Sequence, residues 1–122
     1  MTKPFSIADR LKSFTFAFAG IAAMLRTQHN AWIHLAATLT VVGAGFWFAI
    51  PRDEWLWLIA AIVMVWTAEA LNTAFELLCD VASPEFHPLV KQAKDVAAAA
   101  VLIAALGAAA IGALIFVPHL FP

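Results

Sequence analysis

Charge is what this sequence has least of. Only 12% of its 122 residues are Asp, Glu, Lys or Arg, about half the roughly 25% of an ordinary soluble domain. Seven basic and eight acidic side chains leave a net charge of −1. No field of one sign covers the chain, which excludes a nucleic-acid binder working through a basic surface. Cysteine is almost missing. Cys79 stands alone, so neither an intrachain disulfide nor a cysteine zinc framework can form. No Gly/Ser linker, repeat or low-complexity tract divides the chain. Neither a GxxxxGK[ST] phosphate loop nor a kinase glycine-rich loop occurs in it. What the chain has instead is apolar surface. Hydrophobic residues make up 64% and the mean hydropathy is +0.89. A chain of 13.2 kDa is one domain at most, and its interior is too small to hide that much surface from water. A lone soluble globule and a disordered chain are both excluded. The remaining solvent is a lipid bilayer, and the sequence predicts an all-α membrane protein forming one domain over 1–122.

Apolar periodicity divides that domain. In 1–30, Ile7, Leu11, Phe14, Phe18, Ile21 and Leu25 repeat at steps of three and four, and Asp9, Arg10, Lys12 and Arg26 lie off this stripe. The pattern predicts an amphipathic helix lying on the membrane surface. A cleaved signal peptide is the rival reading. It fits poorly with the aromatics at 14, 16 and 18 and with Arg26 directly after the run. The stretch 31–50 has no formal charge apart from a possible one on His34, and is the first expected span. A polar turn is expected at 51–54 and a second span over 55–80. Ser83-Pro84-Glu85 and His87-Pro88 each read as a helix start. The third expected span, 89–117, contains 22 uncharged residues from position 96 on, with Gly107 and Gly112 to let helices approach, and Pro118 is expected to end it. His119, beyond it, is expected to be solvated. Basic residues gather near the N-terminus and at Lys91 and Lys94, which by the positive-inside rule puts the N-terminus and the 80–95 region in the cytoplasm.

The second span carries acids that a membrane helix does not hold without cause. Glu69, Asn72, Glu76 and Asp80 are spaced 3, 4 and 4, which confines them to one helical stripe about 80° wide. Each acid in a span costs about 2.5–3.5 kcal/mol on insertion scales. One explanation is structural pairing: Lys91 and Lys94 can reach Asp80, but no spanning Lys or Arg is available to Glu69. The other is chemical. Carboxylate and amide oxygens suit Mg²⁺, and Mg²⁺ beside a lysine suits a nucleoside triphosphate. A deeper carboxylate can then deprotonate a lipid hydroxyl. An acidic stripe also suits a small proton- or ion-coupled transporter or channel subunit. The Lys94-Asp95 pair near a cytoplasmic exit fits a nucleotide better than a pore.

At these residues the chain resembles the small prokaryotic diacylglycerol kinase family, which includes the undecaprenol kinases. The matching text is EALNTAFELLCD at 69–80, SPEFHPL at 83–89, KDVAAAAVL at 94–102 and RTQHNAWIHL at 26–35. SPEFHP from 83 and TQHNAWIHL from 27 look more like the undecaprenol kinase branch. The resemblance implies a homotrimer of three-span protomers, each with an N-terminal surface helix, in the bacterial inner membrane with the N-terminus cytoplasmic. It implies ATP as phosphate donor, Mg²⁺ as cofactor, and a membrane lipid, diacylglycerol or undecaprenol, as acceptor. Glu69 matches the general base and Glu76 a metal-binding carboxylate. Asn72, Lys94 and Asp95 match residues around the triphosphate. Asp80, Glu85 and His87 match the adjoining nucleotide side, and Arg10 a basic contact from the surface helix. Gln28 stands where many members carry a second metal-binding Glu: it keeps a carbonyl oxygen and loses the charge. His29 and His34, beside the first span, are expected to be hydrogen-bonded interfacial residues rather than ligands or bases.

Overall fold

Four α-helices make up nearly all of the computed structural model, which describes residues 2–122, and no strand occurs among them. The first, α1 (Ile7–Thr27), starts where the Ser6 side chain accepts from the Asp9 amide and carries Asp9 and Arg26 at the ends that suit the helix dipole. Its apolar stripe is exposed: Ile7, Leu11, Phe14, Phe18 and Ile21 touch little of the protein and are left for lipid. One extended residue, Gln28, ends α1 and begins α2 (His29–Trp47). Trp32 Nε1 closes this corner by donating to the Leu25 carbonyl at 2.8 Å.

The α2–α3 turn has a Schellman geometry. Ile50 N donates to Gly45 O at 3.1 Å and Ala49 N to Phe46 O at 3.2 Å. The motif needs a left-handed residue after the cap, and Ala49 supplies it at φ 49°. Helix α3 (Arg52–Ala82) follows with Pro51 as its cap. The polar residues expected in a turn at 51–54 are therefore mostly first-turn residues of a helix, with Asp53 and Glu54 at its positive end. Helix α4 (Pro88–Leu120) starts at Pro88 rather than at Pro84, because His87 Nδ1 accepts the Leu89 amide. Pro118 does not stop it: the helix runs on to Leu120, since a proline this near the end removes only one late backbone bond. His119 is not solvated either. It sits 2.9 Å from Glu54, with both side chains 28% exposed.

Helices α3 and α4 pack along each other, α2 leans on α3, and α2 and α4 hardly touch. The core, Ile50, Leu58 and Ile115, lies at the end near the α2–α3 turn. His119–Glu54 ties that end of the α3–α4 pair and Lys94–Asp80, at 2.5 Å, ties the other. Both helices are long and apolar enough to cross a membrane. Helix α2 falls short of the same measure, because His29, Asn30 and His34 dilute its first half. Along α3 the chain is 31 residues, about 46 Å at about 1.5 Å per residue. That exceeds a hydrocarbon core of about 30 Å by several turns.

Two substitutions test the α2–α3 corner. A Cβ on Gly45 would meet the Trp55 ring at 2.7 and 2.8 Å, so Gly45→Ala should destabilise the protein by about 1–3 kcal/mol. Ala49→Gly removes the left-handed strain and should stabilise it by up to about 1 kcal/mol. Unfolding in detergent, followed by tryptophan fluorescence, should shift in opposite directions for the two variants.

Candidate active site

The acidic stripe of α3 divides among three sets of partners. Deepest is Glu69, 0% exposed. Its Oε2 lies 3.1 Å from His34 Nε2 of α2, while Oε1 is buried without a partner among the described residues. Trp66 packs against the His34 ring, and a short hydrogen-bond chain ties Trp66 to the His34 backbone. Trp66 stands edge-on to the ring at 6.2 Å between centroids. Trp66 Nε1 donates to Thr38 Oγ1 at 2.9 Å, and Thr38 Oγ1 donates to the His34 carbonyl at 2.7 Å.

One turn further along α3, Asn72 Nδ2 donates to Glu76 Oε1 at 3.4 Å, and Gln28 Nε2 donates to Glu76 Oε2 at 3.3 Å. Two long amide bonds thus hold one carboxylate at the α1–α2 corner, where Gln28 is the extended residue between the helices. Asn72 Oδ1 is buried and unpartnered. A buried acceptor left unpaired costs about 1–3 kcal/mol, and two so close together mark a place built for something other than stability. Asn72, Glu76 and His34 line one side of a cavity of about 300 Å³ between α2, α3 and α4.

At the end of α3, Asp80 pairs with Lys94, and one turn away Lys91 pairs with Asp95 at 2.7 Å. Lys94 and Asp95, expected to act together, each have a different partner here. Glu85 is exposed, its carbonyl accepting from Ser83 Oγ at 3.0 Å. His87 caps α4. Arg10 is exposed on α1 with no ion pair among the described residues. Nothing in one chain brings Arg10, Glu85 or His87 to the Glu76 cluster. His34 is the residue that sequence reasoning undervalued. The signal was present: an acid in α3 without a spanning Lys or Arg needs a partner, and His34 is the one ionisable side chain in the preceding uncharged stretch.

A divalent cation suits this cluster in part. Glu76 offers a carboxylate, and Asn72 and Gln28 offer amide carbonyls, all hard oxygen donors of the kind Mg²⁺ takes. The unpartnered Asn72 Oδ1 is an oxygen available to such an ion. No group of three or more His, Cys, Asp or Glu side chains with metal-site spacing exists among the described residues. Of the three candidate donors, Glu76 alone carries a charge.

Comparison with known proteins gives this arrangement its place. The description prokaryotic diacylglycerol kinase matches residues 15–116, which hold every candidate residue except Arg10. The chain belongs to that family, and the activity of the family is that of a lipid kinase. It is similar to the undecaprenol kinase of Bacillus subtilis, with 40% identity over 109 residues and 89% of each chain covered. It is also similar to the diacylglycerol kinase of Synechocystis, 35% identical over 111 residues that cover 90% of this chain and 63% of the relative. The diacylglycerol kinase of Escherichia coli is 30% identical over 105 residues, with 80% and 86% covered. The transporter reading finds no support in these relatives.

Proposed function

We propose that the protein transfers the γ-phosphoryl group of ATP to the hydroxyl of a membrane lipid at the cytoplasmic face of the bacterial inner membrane. The observation that carries this reading is Glu69, fully buried in an apolar helix with one carboxylate oxygen unpartnered, one turn from a carboxylate–amide cluster. Each protomer has a surface helix, α1, and three spans, α2 to α4, with the N-terminus cytoplasmic and the protomers assembled as a homotrimer. Helix length supports that placement. If α3 enters the hydrocarbon at Trp55, about 20 residues exhaust its thickness. Asn72 then lies near its cytoplasmic edge, Glu69 about one turn deeper in the hydrocarbon, and Glu76 and Asp80 among the headgroups. There a lipid hydroxyl and a water-borne triphosphate can meet. The greater identity to an undecaprenol kinase than to the diacylglycerol kinases supports a polyprenol acceptor.

The chain's own residues divide the work. Glu69 takes the proton of the lipid hydroxyl as that oxygen attacks phosphorus, and the bridging oxygen leaves with ADP. Asn72, Lys94 and Asp95 hold the triphosphate. Lys94 exchanges Asp80 for phosphate, and a flexible ammonium on an exposed pair makes that exchange easily. Asp80, Glu85 and His87 form the nucleotide side, and Arg10 adds a basic contact, within the trimer rather than within one chain. Glu76, Gln28 and Asn72 are the residues that would hold Mg²⁺. Bound there, it would neutralise phosphate charge.

Glu69→Gln should keep nucleotide binding and lose phosphate transfer by about 10²–10⁴-fold. Its amide fits the same space and lowers the insertion cost. Turnover at the wild-type rate in this variant would remove Glu69 from the mechanism. The cluster has its own test in Mg²⁺ dependence. Gln28→Glu should lower the Mg²⁺ concentration for half-maximal activity, because hard cations prefer anionic oxygen. Glu76→Gln should raise it sharply, and the two changes should be non-additive if both side chains touch one ion. Simple additivity with no effect of Gln28→Glu would leave Gln28 a polar corner residue.

A further inference from the structure

We propose that the acceptor is gripped by its hydrocarbon chain in an apolar slot between α2, α3 and α4, and that the slot fits the methyl-branched chain of a polyprenol. This rests on the lipid-kinase reading and on Glu69 being the place to which the acceptor hydroxyl comes. The slot is a cavity of about 330 Å³, within the range of about 300–1,000 Å³ that holds small ligands. Leu58, Ala61, Ile62 and Val65 form its α3 wall. Its α2 wall runs from His34 to Val41 and its α4 wall from Ala105 to Phe116.

The α3 wall and the acidic stripe are one face of one helix. Leu58, Ala61, Val65, Glu69, Asn72 and Glu76 are spaced 3, 4, 4, 3 and 4, which keeps them in a stripe about 80° wide. That face changes character at Glu69. Toward the α2–α3 turn, Val65, Ala61 and Leu58 border the slot; toward Asp80, Asn72 and Glu76 border the cavity of about 300 Å³. His34 and Ala105 line both spaces, so the two adjoin. A lipid alcohol has the same order of parts, with an apolar chain, a terminal hydroxyl and the incoming phosphate beyond it. With the hydroxyl at Glu69 and the phosphate on the Glu76 side, the chain is directed toward Leu58, about 16 Å along the axis.

The slot favours a thin apolar occupant. Its two polar wall residues sit at the Glu69 end and are already hydrogen-bonded: Thr38 to Trp66 and to the His34 carbonyl, His34 to Glu69. The rest of the wall is hydrocarbon, which stays dry, and left empty it forgoes dispersion contacts. A helix of a second copy is too large. A segment about 10 Å across and about 16 Å long takes several times the volume of the slot. On α4 the wall is Ala105, Ala108, Ala109 and Gly112. These small residues leave lateral room that a linear acyl chain does not fill and that methyl branches do. Leu58 and Phe116 close the far end as parts of the core cluster, while α2 and α4 hardly touch along the side. The first isoprene units therefore lie in the slot, and the remainder of a long chain leaves between α2 and α4 into the bilayer.

Gly112 gives the test, because a Cβ there meets nothing within 4 Å and a larger side chain grows into the slot without a clash. In Gly112→Leu, kcat/KM for undecaprenol should fall by about 10–100-fold, through KM, with KM for ATP unchanged. Gly43→Leu, equally unobstructed but on α2 outside the slot, should keep the wild-type value. A photoreactive polyprenol alcohol should label residues 37–41 or 105–116 in the wild type and in Glu69→Gln, and Gly112→Leu should lose that label. An unchanged kcat/KM for undecaprenol in Gly112→Leu overturns the proposal. So does label found only outside those residues. Labelling of the slot by a photoreactive diacylglycerol but not by the polyprenol overturns it too, because an acyl chain then occupies the space. Should Gly112→Leu fail to assemble, Ala108→Val and the labelling of the wild type decide. Full transfer by Glu69→Gln, with the slot still labelled, would instead overturn the base assignment and leave the slot standing, so the two failures are told apart.

Discussion

The constraint on which the rest depends is the placing of two carboxylates in a chain that offers almost nothing to neutralise them. Seven Lys and Arg serve the whole protein, and none lies in α2 or in the apolar body of α3 or α4. In hydrocarbon each acid needs a hydrogen-bonding partner or an aqueous edge. Glu69 has His34, Glu76 has two amides, and Asp80 at the helix end has Lys94. The order of partners along α3 follows the fall in burial: imidazole, then neutral amides, then a full ammonium where water is near.

That order also explains why the first half of α2 is more polar than its second. Its first half carries the polar groups that α3 needs, from the Gln28 corner to His34. Helix α2 is held mainly through α3, and the space between α2 and α4 stays open. The opening is where chemistry has room, because the packing that would fill it is absent. Tight contact is concentrated at the opposite end, around Ile50, Leu58 and Ile115, where Gly45 lets Trp55 approach the α2 backbone.

Much of this was legible from residue order. The 3-4-4 spacing of Glu69, Asn72, Glu76 and Asp80 requires a shared face on any helix, and the match of 26–35 and 69–102 to a known family follows from letters alone. Asp80–Lys94 was foreseeable as a pairing across a short loop. His34–Glu69 was legible only as an acid in need of a partner and one ionisable side chain in the preceding stretch, because spacing within one helix says nothing about how its neighbour is rotated. The helix ends were misplaced for local reasons. Pro51 caps α3, so residues 52–54 join the helix. The start of α4 was offered correctly at His87-Pro88, with Ser83-Pro84 as the other reading, and His87 supplies the capping acceptor. Pro118 falls where a missing amide hardly matters. His119 was read as solvated because Glu54, its partner, lies 65 positions away in the chain.

The most direct measurement is transfer of labelled γ-phosphate from ATP by the purified protein in mixed micelles, with undecaprenol and diacylglycerol offered side by side. The account predicts labelled lipid that depends on Mg²⁺ and on the acceptor, with undecaprenol the better acceptor. Label that stays in the aqueous phase with both lipids, from protein that still binds ATP, would contradict it.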